Sequence, residues 1–180
     1  MYQKVAIIGD VGAGKTCLIN TLSEISTLDT DVLSSVDIGK KMTTVGIDYG
    51  RIQMGDDTAL GLYGIPGQPR YSFLWEYVNQ SLYGIVLLYK SNESLSTEAT
   101  QVLLDHFKPA QNRVPCVVAL THCDCVTPEQ LTQISRRLSQ LLLDNQIKAP
   151  VIPVDAREFN SSVSVLHALT AIGLYQYANQ

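Results

Sequence analysis

The chain contains no apolar stretch of membrane-spanning length. Its longest strand-like apolar run, Gly84 to Tyr89, falls far below the roughly 20 residues a helix needs to cross a bilayer. Basic runs are missing as well. Lys and Arg total 13 against 17 Asp and Glu, a net charge of −4. A mildly acidic chain without a basic stripe lacks the footprint of a nucleic-acid binder, so no nucleic acid is expected among its partners. Cysteine is scarce, with only Cys17, Cys116, Cys123 and Cys125. Cys123 and Cys125 form a Cys-x-Cys pair with no second pair nearby, whereas a structural zinc site draws on four ligands. Free thiols in a reducing compartment are expected. Charged residues make up only 17%, but hydrophobic residues reach 46%, which excludes a disordered chain.

What is present is enough for one core. A chain of 180 residues fits one domain. It should bury roughly 70% of its unfolded surface without disulfides. Met1-Tyr-Gln-Lys4 has no signal-peptide layout, position 2 is not glycine, and no cysteine lies near Gln180. The expectation is a cytoplasmic protein with no integral membrane segment and no lipid anchor.

Short apolar runs alternate with helical patterns. Lys4 to Gly9 reads as a buried strand and Lys15 to about Ser26 as a helix. Val45 to Gln53, a turn at Gly55-Asp-Asp57 and Thr58 to Tyr63 read as a hairpin. Gly84 to Tyr89, Pro115 to Leu120 and Val151 to Val154 read as parallel strands. Leu95, Ala99, Val102, Leu103 and Phe107 fall at helical spacing. Thr127-Pro-Glu-Gln130 is a capping box opening a helix striped by Leu131, Ile134, Leu138 and Leu141. Leu166, Leu169 and Ile172 mark a last helix. This alternation predicts a three-layer α/β domain with a mostly parallel sheet. Thr27 to Met42 is polar and reads as a long loop.

Gly9-Asp10-Val11-Gly12-Ala13-Gly14-Lys15-Thr16 matches G-x-x-x-x-G-K-[ST] between a predicted strand and helix. The glycines let backbone N–H groups turn inward around phosphate oxygens, and the helix that follows directs its positive end at them. Lys15 is expected to bridge the β- and γ-phosphates, and the Thr16 hydroxyl to ligate Mg²⁺.

Four further segments follow in order. Thr43-Thr-Val-Gly-Ile-Asp-Tyr49 resembles the first switch and effector strand of Ras-like small GTPases. Gly64-Ile-Pro-Gly67-Gln68 resembles their second switch, Thr121-His122-Cys-Asp124 their guanine motif, and Asp155-Ala156-Arg157 their base-contacting loop. Leu62 to Gln68 and the glycine loop look most like the prokaryotic branch, akin to the gliding-motility protein MglA and to conservon-type GTPases. The resemblance implies a three-layer P-loop NTPase fold, with residues 1–180 as a single small GTPase domain. It implies a mostly parallel sheet with one antiparallel edge strand and helices on both faces. Its ligands would be GTP or GDP and Mg²⁺.

The resemblance also implies residue roles. Thr44, beside Thr43, would close onto Mg²⁺ and the γ-phosphate, and the Gly67 amide would donate to that phosphate. Both contacts vanish on hydrolysis, which makes a switch. Gln68, with Lys15 and Thr44, would form the catalytic set, Gln68 orienting the attacking water. Asp124 would accept hydrogen bonds from the guanine N1–H and amine, and the Ala156 N–H would donate to O6. Cys17, Thr121, His122 and Arg157 would complete the nucleotide contacts.

Three departures bear on turnover. Gly64 stands where the second switch usually opens with an aspartate that holds Mg²⁺ through water. Val11 brings a β-branched side chain to the γ-phosphate side, so slow intrinsic hydrolysis is expected. Thr121 and His122 stand for the usual asparagine and lysine. Arg51 and Arg70 do not declare themselves as an arginine finger, so a partner is the expected source of one.

Residues 43–53 and 67–78 are the expected partner surface, for an effector and a GTPase-activating protein. Pro69 to Trp75 gathers Tyr71, Phe73, Leu74 and Trp75, and the strand from Val45 is expected at a sheet edge open to strand addition. The alternative is a nucleotide-binding interaction module with little or no hydrolysis, favoured by Gly64 and Val11. A P-loop kinase fits less well. Only Arg136 and Arg137 cluster, and on a helix with a core stripe.

Overall fold

The computed structural model describes residues 2–26, 28–30, 47–55 and 57–178. Strand β1 (Tyr2–Gly9) leads through the glycine loop into helix α1 (Lys15–Leu22). Strands β2 (Leu28–Thr30), β3 (Ile47–Gln53) and β4 (Ala59–Pro66) follow. A 3₁₀ turn at Pro69–Tyr71 opens α2 (Ser72–Asn79). Then come β5 (Leu82–Lys90), α3 (Thr97–Phe107), the single turn α4 (Pro109–Asn112) and β6 (Cys116–Thr121). Helix α5 (Pro128–Asp144), β7 (Val151–Pro153) and α6 (Phe159–Ala178) complete the order.

The strands form one sheet in the order β2-β3-β4-β1-β5-β6-β7. Only β3 runs against the rest. Its hairpin with β4 closes where the Met54 N–H donates to the Thr58 carbonyl at 2.7 Å. Side chains of β1 alternate between two cores, as the two-residue strand period requires. Ala6 and Ile8 pack with α2, α3 and α5, whereas Val5 and Ile7 pack with α1 and α6. The sheet is therefore the middle of three layers. Thr127 caps α5 as expected: the Gln130 N–H donates to its hydroxyl at 3.3 Å, and its own N–H donates to Gln130 Oε1 at 2.9 Å.

Four expectations are corrected. The antiparallel strand is not at the sheet edge, because Leu28–Thr30, expected within a loop, pairs outside it. Helix α1 stops at Leu22 rather than near Ser26. Ser23 is extended (φ −75°, ψ 133°), and its hydroxyl accepts the Arg51 N–H at 3.1 Å. A serine side chain that bonds backbone elsewhere is a poor helix continuer. The edge of β3 is not open to an added strand over Arg51 and Gln53. The Glu24 N–H donates to the Arg51 carbonyl at 2.9 Å, and the Glu24 carboxylate accepts the Gln53 N–H at 3.1 Å. Finally, Leu74 and Trp75 are core residues, not interface anchors. Trp75 is 2% exposed and donates its indole N–H to the Pro66 carbonyl at 2.9 Å. Of the segment's large side chains, Tyr71 and Phe73 lie partly buried against that core, and Tyr77 stays exposed.

Candidate functional site

Strand order reverses at β1, which has β4 on one side and β5 on the other. In an open α/β sheet a crevice forms at the carboxyl ends of the strands at such a point. The loop Gly9–Thr16 sits there. Gly12 and Gly14 hold φ angles of +76° and +95°, in the left-handed region that glycine tolerates and other residues resist. Gly14 precedes α1, and its carbonyl accepts the Leu18 N–H at 2.8 Å.

The Lys15 ammonium folds back over its own loop. It donates to the Gly9 and Asp10 carbonyls, both at 2.9 Å. Burial lowers its pKa most, while Asp48 and Asp10 act in the opposite direction. The Gly67 N–H also faces Gly9, donating to its carbonyl at a long 3.4 Å. Gln68 follows, half-buried, with its carbonyl accepting the Tyr71 N–H at 2.9 Å. The glycine loop and the Gly67 segment thus meet at Gly9. Val11 is 79% exposed. Thr43 and Thr44 lie outside the described residues.

The Thr16 hydroxyl donates to Asp48 Oδ2 at 2.8 Å. Sequence reasoning missed Asp48. It stands directly opposite Gly64 in the antiparallel register of β3 and β4. A Cβ on Gly64 would lie 2.9 Å from both Asp48 Cβ and Oδ2, and 2.8 Å from Ile19 Cδ1. The Asp48 carboxylate thus lies in the space a side chain on residue 64 would need. Its local signal was one acidic residue near the start of strand β3; only the register reveals its neighbour.

On the other side of the loop lies a cavity of about 390 Å³, lined by Gly12, Gly14, Cys17, Thr121, Asp124 and Ala156 among others. The buried Thr121 hydroxyl donates to the Ala13 carbonyl at 2.9 Å, tying this cavity to the glycine loop. A hydroxyl has one proton. With that proton on Ala13, the His122 Nδ1, 3.0 Å from Thr121 Oγ1, is the donor of their bond. His122 holds a left-handed φ of +56°, which turns the chain toward Asp124. Asp124 is exposed in a 3₁₀ turn, Cys123–Cys125.

Arg157 spans the cavity's two carboxylates. It donates to Asp155 Oδ1 at 2.8 Å and Oδ2 at 2.7 Å, and its Nη2 lies 3.7 Å from Asp124 Oδ2. The Arg157 hydrogen bonds hold the Asp155 pKa down at about 2. Those to Asp155 raise that of Arg157. The Ala156 carbonyl accepts the Thr21 hydroxyl at 2.7 Å, which fixes this loop to α1.

Comparison with known proteins bears on the family and the fold. The Ras family profile matches residues 4–168. The chain is 28% identical over 142 residues to "GTP-binding protein ypt2" of Schizosaccharomyces pombe, covering 78% of this chain and 66% of that protein. It is 27% identical over 146 residues to human "Ras-related protein Rab-8B", covering 81% and 66%. The matched region thus spans about two thirds of these curated relatives. Among solved structures, the Arl6 small GTPase of Trypanosoma brucei with a bound nucleotide analogue superposes with a TM-score of 0.70 at 18% identity, covering 98% of this chain and 99% of that one. A bacterial selenocysteine-specific elongation factor gives a TM-score of 0.72 at 22% identity, over 95% of this chain and 28% of that one. With its Ras-like P-loop fold and the family match along nearly its whole length, the chain belongs to the Ras family.

Proposed function

We propose that residues 1–180 work as one GTP-binding molecular switch that hydrolyses GTP slowly and signals to a protein partner. The observation that carries this reading is the 2.8–2.9 Å bracket around the glycine loop. Thr16 bonds Asp48 on one side, and Thr121 bonds the Ala13 carbonyl on the other. On this reading the glycine loop takes the phosphates, the Thr16–Asp48 pair would serve a cation, and Asp124 beside the adjoining cavity would serve guanine.

Each residue has a chemical task. Loop N–H groups and Lys15 would take the phosphates, with Lys15 leaving the Gly9 and Asp10 carbonyls. Gly67 would exchange Gly9 for the γ-phosphate, moving Gln68 with it. Asp124 would pair with guanine N1–H and its amine. Adenine has an acceptor at N1 and no amine at C2, so Asp124 disfavours ATP. Arg157 must yield Asp124 for this pairing, and its 3.7 Å separation makes that contact the weaker of its two.

Mg²⁺ fits the donor set. Asp48 accepts the Thr16 hydroxyl proton, which leaves the hydroxyl lone pairs free for a cation. No group of three or more His, Cys, Asp or Glu forms a cage among the described residues. That suits an ion that uses few protein carboxylates and completes its shell with water and phosphate. Thr16, Asp48 and Thr44 would hold it, and it would neutralise phosphate charge when bound.

Gly64 and the segment Leu62 to Gln68 favour the prokaryotic MglA-like and conservon-type branch. The partner surface for an effector and an activating protein would combine residues 43–53 with 67–78, through exposed groups such as Arg70 and Tyr77. Four free cysteines suit a reducing cytoplasm. Among the described residues no helix is long and apolar enough to cross a membrane. Exposed Val11 favours the second reading, an interaction module with little turnover.

Titration calorimetry of nucleotide-stripped protein tests the reading, with GDP, a GTP analogue and ATP, in Mg²⁺ and in EDTA. Guanine-selective binding that collapses in Asp124→Ala is expected. Equal affinity for ATP and GTP would overturn it.

A further inference from the structure

Lys90 ends β5, level with Thr121 on β6, at the carboxyl edge of the sheet. Its ammonium reaches the glycine loop. A Cβ built on Gly12 would lie 3.4 Å from Lys90 Nζ. The side chain is only 15% exposed, an unusual degree of burial for a lysine. Its partner is Glu93, three residues on and mostly exposed. Lys90 and Glu93 line a second cavity together with Gly9, Asp10 and Gly67.

Two ammonium groups therefore address one loop, Lys15 from α1 and Lys90 from β5. The Lys90 charge adds to the burial that lowers the Lys15 pKa. Like charges drawn together at a glycine loop favour an anion between them. A solvated ion pair of this spacing contributes little and needs no buried ammonium.

We infer that Lys90 is a second phosphate-binding cation of the nucleotide site: its ammonium leaves Glu93 to contact the di- or triphosphate beside Gly12, and Glu93 is its resting partner. The ligand class is a polyphosphate. The inference rests on the nucleotide reading above for its physiological ligand, but its chemistry can be tested without the base.

The test is calorimetry on the full chain in EDTA, with pyrophosphate, GDP, ADP and guanosine as probes. Lys90→Met should weaken pyrophosphate and GDP about 10-fold each and leave guanosine unchanged, the loss expected for one charge-assisted contact. Glu93→Gln should act in the opposite direction and tighten both about 3-fold, with no such gain in the Lys90→Met background. Wild-type GDP and pyrophosphate affinity in Lys90→Met would overturn the inference. So would equal weakening by Glu93→Gln, which would make the pair a structural clamp. If Lys90→Met does not fold, Glu93→Gln decides alone: tightening supports the inference and no change overturns it. Lys90-dependent pyrophosphate binding with no preference for GDP over ADP would uphold the lysine's role and remove the guanine reading.

Discussion

Asp48 and Gly64 face each other across β3 and β4, and the carboxylate of one fills the space a side chain on the other would need. The Thr16 hydroxyl donates to that carboxylate. An acidic group thus stands beside the phosphate loop, on the strand paired with Gly64.

Exchanging the two positions tests this relationship. Asp48→Ala should lower GDP affinity in Mg²⁺ about 10-fold and leave affinity in EDTA unchanged or tighter, because one carboxylate of the cation shell is lost. Gly64→Asp alone should destabilise the fold by about 1–3 kcal/mol, the range for overpacking a filled site. The pair Asp48→Gly with Gly64→Asp should recover both stability and Mg²⁺ dependence. A stable Gly64→Asp single variant would refute the shared space.

Thr121 is the buried link between the cavity beside Asp124 and the glycine loop. Thr121→Val keeps its shape but strands the Ala13 carbonyl and the His122 donor. A loss of about 1–3 kcal/mol in urea unfolding is expected, the cost of leaving a buried polar partner unpaired. Nucleotide affinity should fall with it.

Asp155 contributes to the pH dependence of stability. Its folded pKa is about 2, depressed by hydrogen bonds from Arg157. A depressed carboxylate stabilises the fold above its unfolded pKa of about 3.9. That stabilisation is lost as pH falls from about 4 through about 2. Wild type should therefore exceed Asp155→Asn in unfolding midpoint at pH 6, and the gap should shrink steadily as pH falls to about 2. The pair is exposed, so 1 M salt should narrow the gap at pH 6 as well. A gap that stays constant over this range would assign the effect to something other than ionisation.

Val11 is expected to limit hydrolysis. Val11→Gly should raise the single-turnover rate of GTP hydrolysis several-fold without changing GDP affinity, since residue 11 projects from the loop with 79% exposure. An unchanged rate would remove steric crowding by Val11 as a brake on hydrolysis.

Much of this protein was written locally. The glycine loop needs only adjacent residues: a strand, glycines able to adopt positive φ, a lysine, and a helix start. Alternating apolar runs and helical stripes disclosed the three layers, because each period reports how its own segment meets a core. The Thr127 capping box was equally local. Motif order located Asp124, Ala156 and Gly67 along the chain.

Other features were settled by pairing between distant segments. Trp75 looks like an interface anchor in sequence, yet it is buried because α2 packs on β4 and the Pro66 carbonyl accepts its N–H. The edge of β3 looks open until Ser23 and Glu24 leave α1 and occupy it. Asp48 acquires its role only through antiparallel register with Gly64, and Lys90 only because β5 ends beside the glycine loop. The sequence determined most of the strands and helices and the phosphate loop, since those follow from neighbouring residues, whereas Leu28–Thr30 is a strand only through its pairing with β3. The tertiary structure decided which side chains share the site, since register and strand order bring together residues that the chain keeps far apart.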